Sequence, residues 1–445
     1  MRVIAIIALV LMVTPASSFA GKPLGLKEAI NLALEKHNLV KAAVLEEKAA
    51  GRQTWASRGR LLPRISLDET ASASNTPTRV FMMKLDQGRF TQNDFDIGNL
   101  NHPSSHADFR TSITLDQPLF DASIFTASDM ADKEEKQRGF ALQRRRQDVA
   151  FMVYRACVEV KKAKAFLEAA DQGVADAREH ERLARVRDEA GTGLRSDELR
   201  ARTFLAEMEQ QRVSAENSLA MSRLRLARIV GEEPGESADF VEELSPLPLN
   251  MSAEELRRLA WENRQDMKET ALELEKAETG LKGAKAAYLP TLYGTAGYQM
   301  NDRDVPFGRD NDSWMVGATL RWELFDGFSR WNEKEKAKAM AGAASEYLED
   351  FRKEVAIQVE EMRLKREEAM KRLEAASHAV RDSEETVRLI SRRFENSIST
   401  MVELLDAQTA LNSARARLIA NESDYALATA RLFHATGTFL KEVMK

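Results

Sequence analysis

The residues that usually announce chemistry are few in this chain and poorly grouped. Gly191-Thr192-Gly193 lacks the Lys-Ser/Thr that a phosphate-binding loop needs to hold a phosphate and its magnesium. His102 and His106 share a polar stretch with Met82 and Met83, but with no cysteine or carboxylate support they read as solvated loop residues, not metal ligands. Cys157 is the single cysteine, so it can form no internal disulfide, and on a helix face it packs as a small apolar residue. Glu403 and Asp406, on spacing alone, are solvated carboxylates near a helix N-terminus, where the dipole favours negative charge. No nucleophile–base–orienter group and no paired-acid motif stands out. The chain is expected not to be an enzyme and to hold no cofactor or metal.

Composition narrows the partners. Of 445 residues, 30% are charged and 43% hydrophobic, with a net charge of −5. That balance offers no basic surface, so nucleic acid is set aside. Arg2, the apolar run Val3–Val13 and the small-residue cleavage pattern Ser18-Phe19-Ala20, with Ser18 and Ala20 the small positions, have the layout of a secretory signal over residues 1–20, with Gly21 as the mature start. The run is too short to span a bilayer. No Cys follows it, so no lipid anchor is expected. No later stretch is apolar enough for a membrane helix. Entry into a membrane must therefore be by strands.

The elements that carry these residues occur twice. Val149, Val153, Ala156, Val160, Ala163, Leu167, Ala170, Val174 and Ala177 fall at alternating steps of four and three, a heptad seam. The seam recurs 206 residues on as Val355, Val359, Met362, Arg366, Ala369, Leu373, Ala376 and Val380, continuing through Ser383, Val387 and Ile390 to Phe394. Seams in register across two halves mark an internal repeat. The predicted first repeat, 21–231, has a helix from Leu24 to Leu62 ended by Pro63, a strand pair over about 64–119, a long helix 121–190 and a return helix 196–230. The second, 250–437, has a helix from Ala253 to Leu289 ended by Pro290, a strand pair over about 291–325, a long helix 327–395 and a return helix 400–436. The proline-rich stretch 232–249 is a linker and 438–445 a tail.

Strand signals follow each proline. Ile65, Leu67, Ala71 and Ala73 alternate with polar residues, as do Phe109, Ile113 and Leu115, then Leu292, Ala296 and Tyr298. The clearest strand runs Trp314, Val316, Ala318, Leu320, Trp322, Leu324, with Gly317, Thr319, Arg321 and Glu323 on its other face. Apolar-out, polar-in alternation over about ten residues with tryptophans near both ends suits a bilayer-spanning barrel strand, which makes Trp314 and Trp322 membrane-facing aromatics. The first pair carries a surplus around Thr76–Ala107, expected as an extended loop beyond the membrane.

Each long helix of roughly 70 residues reaches about 100 Å, and each flanking helix of roughly 35 reaches about half that. Four strands cannot close a membrane barrel, because unpaired edges in lipid are too costly. Two copies would give eight strands, too narrow for an open lumen, and three would give twelve.

The ordered, duplicated set Glu28-Ala29-Ile30, Leu61-Leu62-Pro63, Gln117-Pro118-Leu119-Phe120-Asp121, Tyr288-Leu289-Pro290, Leu324-Phe325-Asp326-Gly327 and Glu403-Leu404-Leu405-Asp406-Ala407-Gln408 resembles the TolC family of outer-membrane efflux and secretion channels. The resemblance covers Leu24 to Gly437. It implies a mainly α protein with a small β part. In it, a homotrimer joins a twelve-stranded outer-membrane barrel, four strands per protomer, to a periplasmic tunnel of helices. The implied partners are two further copies, a periplasmic adaptor, an inner-membrane transporter and outer-membrane lipid, in a Gram-negative cell.

The resemblance also assigns roles. In the family a Tyr and an Arg of the second helical turn hold a Ser/Thr and an Asp of the first, locking the entrance. Ser196 and Asp197 match the acceptors here, whereas Phe394 and Ser399 stand where the donors should be, leaving Arg195 or Arg393 as substitutes. Glu403 and Asp406 match the family's constricting carboxylates, and three copies of each would ring a narrow lumen with negative charge. Gly191, Gly193, Leu194, Ser397 and Ile398 are the expected adaptor-facing tips, although glycines there also serve plain turn chemistry. The expected function is the exit duct of a tripartite efflux or type I secretion system, passively conducting its cargo. The alternative is a secreted periplasmic coiled-coil scaffold without a pore.

Overall fold

The computed structural model describes residues 22–233, 237–242, 248–249 and 251–445. The expected signal peptide, residues 1–20 with Gly21, lies outside the described residues, as do Pro234, Gly235 and Pro246 of the linker. The chain opens with β1 (Lys22–Leu24), α1 (Leu26–Lys36), α2 (Asn38–Gly59) and β2 (Arg64–Ser74). After β2 come α3 (Pro77–Asp86), a 3-10 turn (Gln92–Phe95), α4 (Ile97–Asn101) and β3 (His106–Phe120). The first long helix is α5 (Ala122–Glu189), returned by α6 (Arg195–Val230). Next come β4 (Ala238–Phe240), α7 (Ala253–Asn263), α8 (Gln265–Ala286), β5 (Thr291–Asp302) and β6 (Asn311–Arg321). The second long helix, α9 (Ser329–Glu395), is returned by α10 (Met401–Ala435), and α11 (Phe439–Val443) closes the chain. Among the described residues no helix is long and apolar enough to cross a membrane.

Two compact units result. One comprises residues up to Ala43, Leu142–Gln265 and Lys353–Lys445, and the other Val44–Ala141 and Asp266–Arg352.

In the first unit the heptad seam of α5 is the core: Val149, Val153, Val160, Val174 and Ala177 are buried. Each buried valine contributes about 1.5–3 kcal/mol relative to exposure. On α9, Val355 and Val359 are buried, but Arg366 interrupts the apolar seam and reaches the Tyr425 hydroxyl at 3.0 Å and the Thr429 hydroxyl at 3.2 Å.

The helix expected from Leu24 to Leu62 is broken. His37 adopts φ −65, ψ 127 between α1 and α2, and Arg264 adopts φ −64, ψ 128 between α7 and α8. The breaks stand 227 residues apart, the same spacing as Pro63 and Pro290. Each receives a glycine. Gly231, past α6, has φ +87, and a Cβ there would meet Lys36 Cβ at 2.6 Å. Gly437, past α10, has φ +72, and a Cβ there would meet Arg264 N at 2.8 Å. Apolar periodicity carried no sign of this joint, because the breaks leave the burial pattern intact.

The linker and the tail are also more than connections. Ala238–Phe240 pairs in parallel with Lys22–Leu24, and Asp239 accepts from Arg223 and Lys164, each at 2.9 Å. The supposed tail carries α11, whose Phe439 is fully buried edge-on against Phe151 and Tyr154.

The second unit is built on a four-stranded antiparallel sheet in the order β2-β3-β5-β6. Its register puts Ile65, Leu115, Ala296 and Val316 in one row and Leu67, Ile113, Tyr298 and Trp314 in the next. The opposite face carries the rows Asp68, Ser112, Gln299, Ser313 and Thr70, Arg110, Asn301, Asn311. Pro118 lies at a register shift in β3, where a missing donor costs no ladder bond. The Phe-Asp pairs that end the strand segments cap the long helices. Asp121 accepts from Ser123 N at 2.9 Å, and Asp326 from Arg330 N at 2.8 Å.

Two expectations fail here. β6 ends at Arg321, so Trp322 and Leu324 lie beyond it; the Trp322 indole donates to Tyr288 O at 3.2 Å. The surplus after β2 is not an extended loop but carries two helices, and Val80 and Met83 of α3 are buried. Its polar composition hid an apolar pair at helical spacing.

Candidate functional site

The turns that join the long helices to the return helices are built alike. Gly191 takes φ +72 and Ser397, 206 residues on, φ +62. Behind them Thr192 N donates to Arg187 O at 3.0 Å, and Ile398 N to Arg393 O at 2.8 Å. This is the left-handed helix stop that glycine favours. Gly193 has a different need: a Cβ there would meet Arg187 Cβ at 2.9 Å and Arg187 C at 3.0 Å. Leu194 and Ile398 project, 65% and 67% exposed.

The two turns are joined by a residue that sequence reasoning missed. Arg187, in the last turn of α5, donates to Phe394 O at 2.6 Å and to Ser397 Oγ at 2.9 Å. Its guanidinium lies 4.6 Å from the Phe394 ring centroid. The sequence signal was a basic side chain at a helix C-terminus beside orphan carbonyls. The proposed substitutes do less. Arg195 pairs with Glu198 and Asp188 of its own turn, and among the described residues Arg393 makes no ion pair or side-chain hydrogen bond.

Phe394, without a hydroxyl to donate, packs instead. It is buried with Ala184, Ala201, Met401 and Leu404, one cluster drawn from four helices. Ser399 turns to its own helix and donates to Glu403 Oε2 at 2.6 Å. Among the described residues no hydrogen bond joins Ser196 or Asp197 to Phe394 or Ser399.

Glu403 closes a capping box. Thr400 N donates to its carboxylate at 3.0 Å, and Glu403 N donates to Thr400 Oγ1 at 3.3 Å. The Ser399 hydroxyl, then the Thr400 N–H, hold its carboxyl below the usual range, so it stays ionised at neutral pH. Asp406 is exposed on the same helix.

One turn deeper lies a buried polar group that the sequence did not suggest. His180 is 7% exposed, and its Nε2 lies 3.4 Å from Gln408 Oε1. The Gln408 amide donates to Asp176 at 3.0 Å, and Arg415 sits 3.7 Å from the same carboxylate. Burial pushes the His180 imidazole below its ordinary pKa, while Gln408, Asp176 and Glu179 pull it up. Cys157 is buried too, and desolvation pushes its thiol up to about 12, an inert group. Among the described residues no cluster of His, Cys, Asp and Glu could hold a metal ion.

Of the aromatics, Trp314 stands on the apolar face, 76% exposed, and Trp322 off the strand, 59% exposed. On β6 and β2, Val316, Leu320, Ile65 and Leu67 are each more than half exposed. An apolar sheet face of that extent is what a hydrocarbon environment covers.

Duplicated helical hairpins joined through long helices to a two-faced four-stranded sheet define the TolC-like class of outer-membrane proteins. The outer membrane efflux protein family matches residues 29–232 and 256–438, and the chain belongs to it. The chain is 24% identical over 421 residues to the alkaline protease secretion protein AprF of Pseudomonas aeruginosa, covering 92% of this chain and 83% of that one. It is 23% identical over 424 residues to the outer membrane protein TolC of Vibrio cholerae, covering 94% and 91%. Among solved structures, CusC superposes with a TM-score of 0.78 at 16% identity, covering 93% and 92%. The outer membrane protein VceC of Vibrio cholerae superposes with 0.76 at 16% identity, covering 93% and 96%. The fold is TolC-like, the place is the outer membrane of a Gram-negative cell, and the family is one of channel proteins, not enzymes.

Proposed function

We propose that three copies of this chain form the exit duct of a tripartite export system. Their twelve strands close one barrel, and their helices line a path from a periplasmic adaptor and an inner-membrane transporter. Cargo passes through passively, driven by the transporter. One observation carries this reading: among the described residues the sheet ends in two unpaired edges, β2 and β6, while its apolar face stays open. Each unpaired backbone group in lipid costs several kcal/mol, so the edges must find strands of identical copies. Relatives named for protease secretion and for solvent and toluene efflux support the class and leave the cargo open.

At the helical turns Glu403 and Asp406 act as rings of fixed negative charge, and Leu194 and Ile398 as the adaptor's apolar anchors with Gly191, Gly193 and Ser397 shaping the turn. Ser196 and Asp197 stand at the entrance as acceptors, while Arg187 holds the two turns together within one protomer. The experiment is extraction from outer membranes followed by planar-bilayer recording. A trimer resistant to detergent, passing cation-selective current, is expected, and Glu403→Gln with Asp406→Asn should weaken that selectivity. A monomer found in the periplasmic soluble fraction would favour the scaffold reading. Unchanged reversal potentials in the double variant would remove the charge rings.

A further inference from the structure

Residues 77–105, which the second repeat lacks, fold back onto the sheet, and the face they choose matters. Gln87, just past α3, is 1% exposed. Its amide donates to Ala107 O and to Asp108 Oδ1, each at 2.9 Å, and its carbonyl oxygen lies 2.8 Å from His106 Nε2. Asn301 of β5 donates to both oxygens of Asp108, at 3.0 and 3.1 Å. Asn311 of β6 donates to Asp86 O at 3.1 Å. By strand register His106, Asp108, Asn301 and Asn311 all belong to the polar face, the face of Asp68, Ser112 and Gln299. The end of α3 thus lies across three strands of the polar face, at the strand ends remote from the long helices. Arg89 extends the hold to Asp304 at 3.0 Å and Asp310 at 2.6 Å.

In a closed barrel the polar face lines the lumen. We infer that residues 77–105 form a constriction inside the outer mouth of the duct, one copy per protomer, which sets the current the duct carries and the width of what leaves it. The inference rests on the duct reading above. Twelve strands about 4.8 Å apart and tilted about 40° close at a diameter of about 24 Å between backbones. A helix with its side chains is about 10 Å across. Three inward-lying copies therefore leave no clear bore. The side of α3 turned away from the sheet carries Met82 and Leu85, 53% and 42% exposed. Apolar side chains there are out of place in a water-filled lumen, but not where three copies of one helix converge on an axis.

Planar-bilayer conductance of the full trimer tests this. Replacing residues 77–104 by a short Gly-Ser turn should raise single-channel conductance at least twofold. Independently, Met82→Cys treated with a bulky charged thiol reagent from the outer side should lower the current by a third or more; the native Cys157 is buried and stays unmodified. Equal conductance of the natural and shortened chains, or an unaltered current after complete modification at position 82, overturns the constriction and leaves the duct standing. A shortened chain that inserts and still passes no current overturns the duct, and the constriction with it.

Discussion

The two long helices and the two return helices all end in a left-handed turn, and the two pairs serve opposite ends of one design. After α6 and α10 the turn residues are Gly231 and Gly437, each pressed against the break of the helix that opened its repeat. After α5 and α9 they are Gly191 and Ser397; nothing lies within 4 Å of a Cβ at Gly191, and serine tolerates the position at φ +62. The joints have stayed alike in both repeats because backbone packs on backbone there. The tips differ because no backbone packs on the turn residue there: Gly191 meets only its own conformation, and Ser397 adds a hydroxyl that accepts from Arg187.

The largest expected effect breaks the joint. In Gly437→Ala the new Cβ would meet Arg264 N at 2.8 Å and Asn263 C at 2.9 Å, backbone atoms that cannot swing away, at a φ of +72. A loss of about 3 kcal/mol or more is expected from clash and strain together. Gly191→Ala meets only the φ penalty and should cost about 1 kcal/mol. Urea unfolding of the two variants measures the difference; equal midpoints would dissolve the distinction between joint and tip.

A smaller effect tests the tie between the tips. Arg187→Ala removes two hydrogen bonds and the ring contact with Phe394, about 2 kcal/mol of local stability. Faster amide exchange confined to Asn396–Ser399 is the expected reading. Arg187→Lys should restore little, because the two bonds need the guanidinium fork. Protection unchanged in Arg187→Ala would mean the tips hold themselves.

How much of this was legible depended on whether periodicity carried it. The long helices, the strand pairs and the duplication were, because apolar spacing and prolines are local signals. The breaks at His37 and Arg264 were not: φ and ψ change at one residue while the buried face continues. α11 and β4 were missed because five-residue and three-residue elements show no period, and their fit depends on Phe151, Tyr154 and Lys22–Leu24 far away in sequence. At the tips, the turn residues stood out by type, but Arg187 and His180 matter through partners more than 200 residues distant. Phe394 is a related case: the sequence shows a donor position without its hydroxyl, and only the fold shows the buried cluster it joins with Ala184, Ala201, Met401 and Leu404.

Between tip and joint, His180 adds a pH dependence. Its folded pKa is lowered, so the unfolded chain binds the proton more tightly. Stability is full above the ordinary value of 6.5 and is lost as pH falls below it toward the folded value. Asp176 and Glu179 on its own helix limit the loss, as does Gln408 across from it, while Arg415 draws on Asp176. One proton taken up on unfolding costs at most about 1.4 kcal/mol for each tenfold rise in proton concentration, so a loss on the order of 1 kcal/mol by about pH 5 is expected. His180→Gln should flatten that limb of the stability profile, and a slope that survives the substitution would assign it to another group.

The smallest effect separates stability from docking at the first tip. Thr400 caps α10, and 206 residues earlier Leu194 stands at the equivalent place before α6 with no side-chain bond to offer. Asp197 already occupies the position of Glu403, so Leu194→Thr supplies the missing half of a capping box. A gain of about 0.5–1 kcal/mol in unfolding free energy is expected. On the proposed reading, the leucine left 65% exposed at that position is one the adaptor covers. Leu194→Thr should therefore raise stability while weakening capture of the adaptor, as should Ile398→Ser at the second tip. A variant that gains the cap and binds the adaptor undiminished would leave the exposed leucine without that role and shift the contact to the turn backbone.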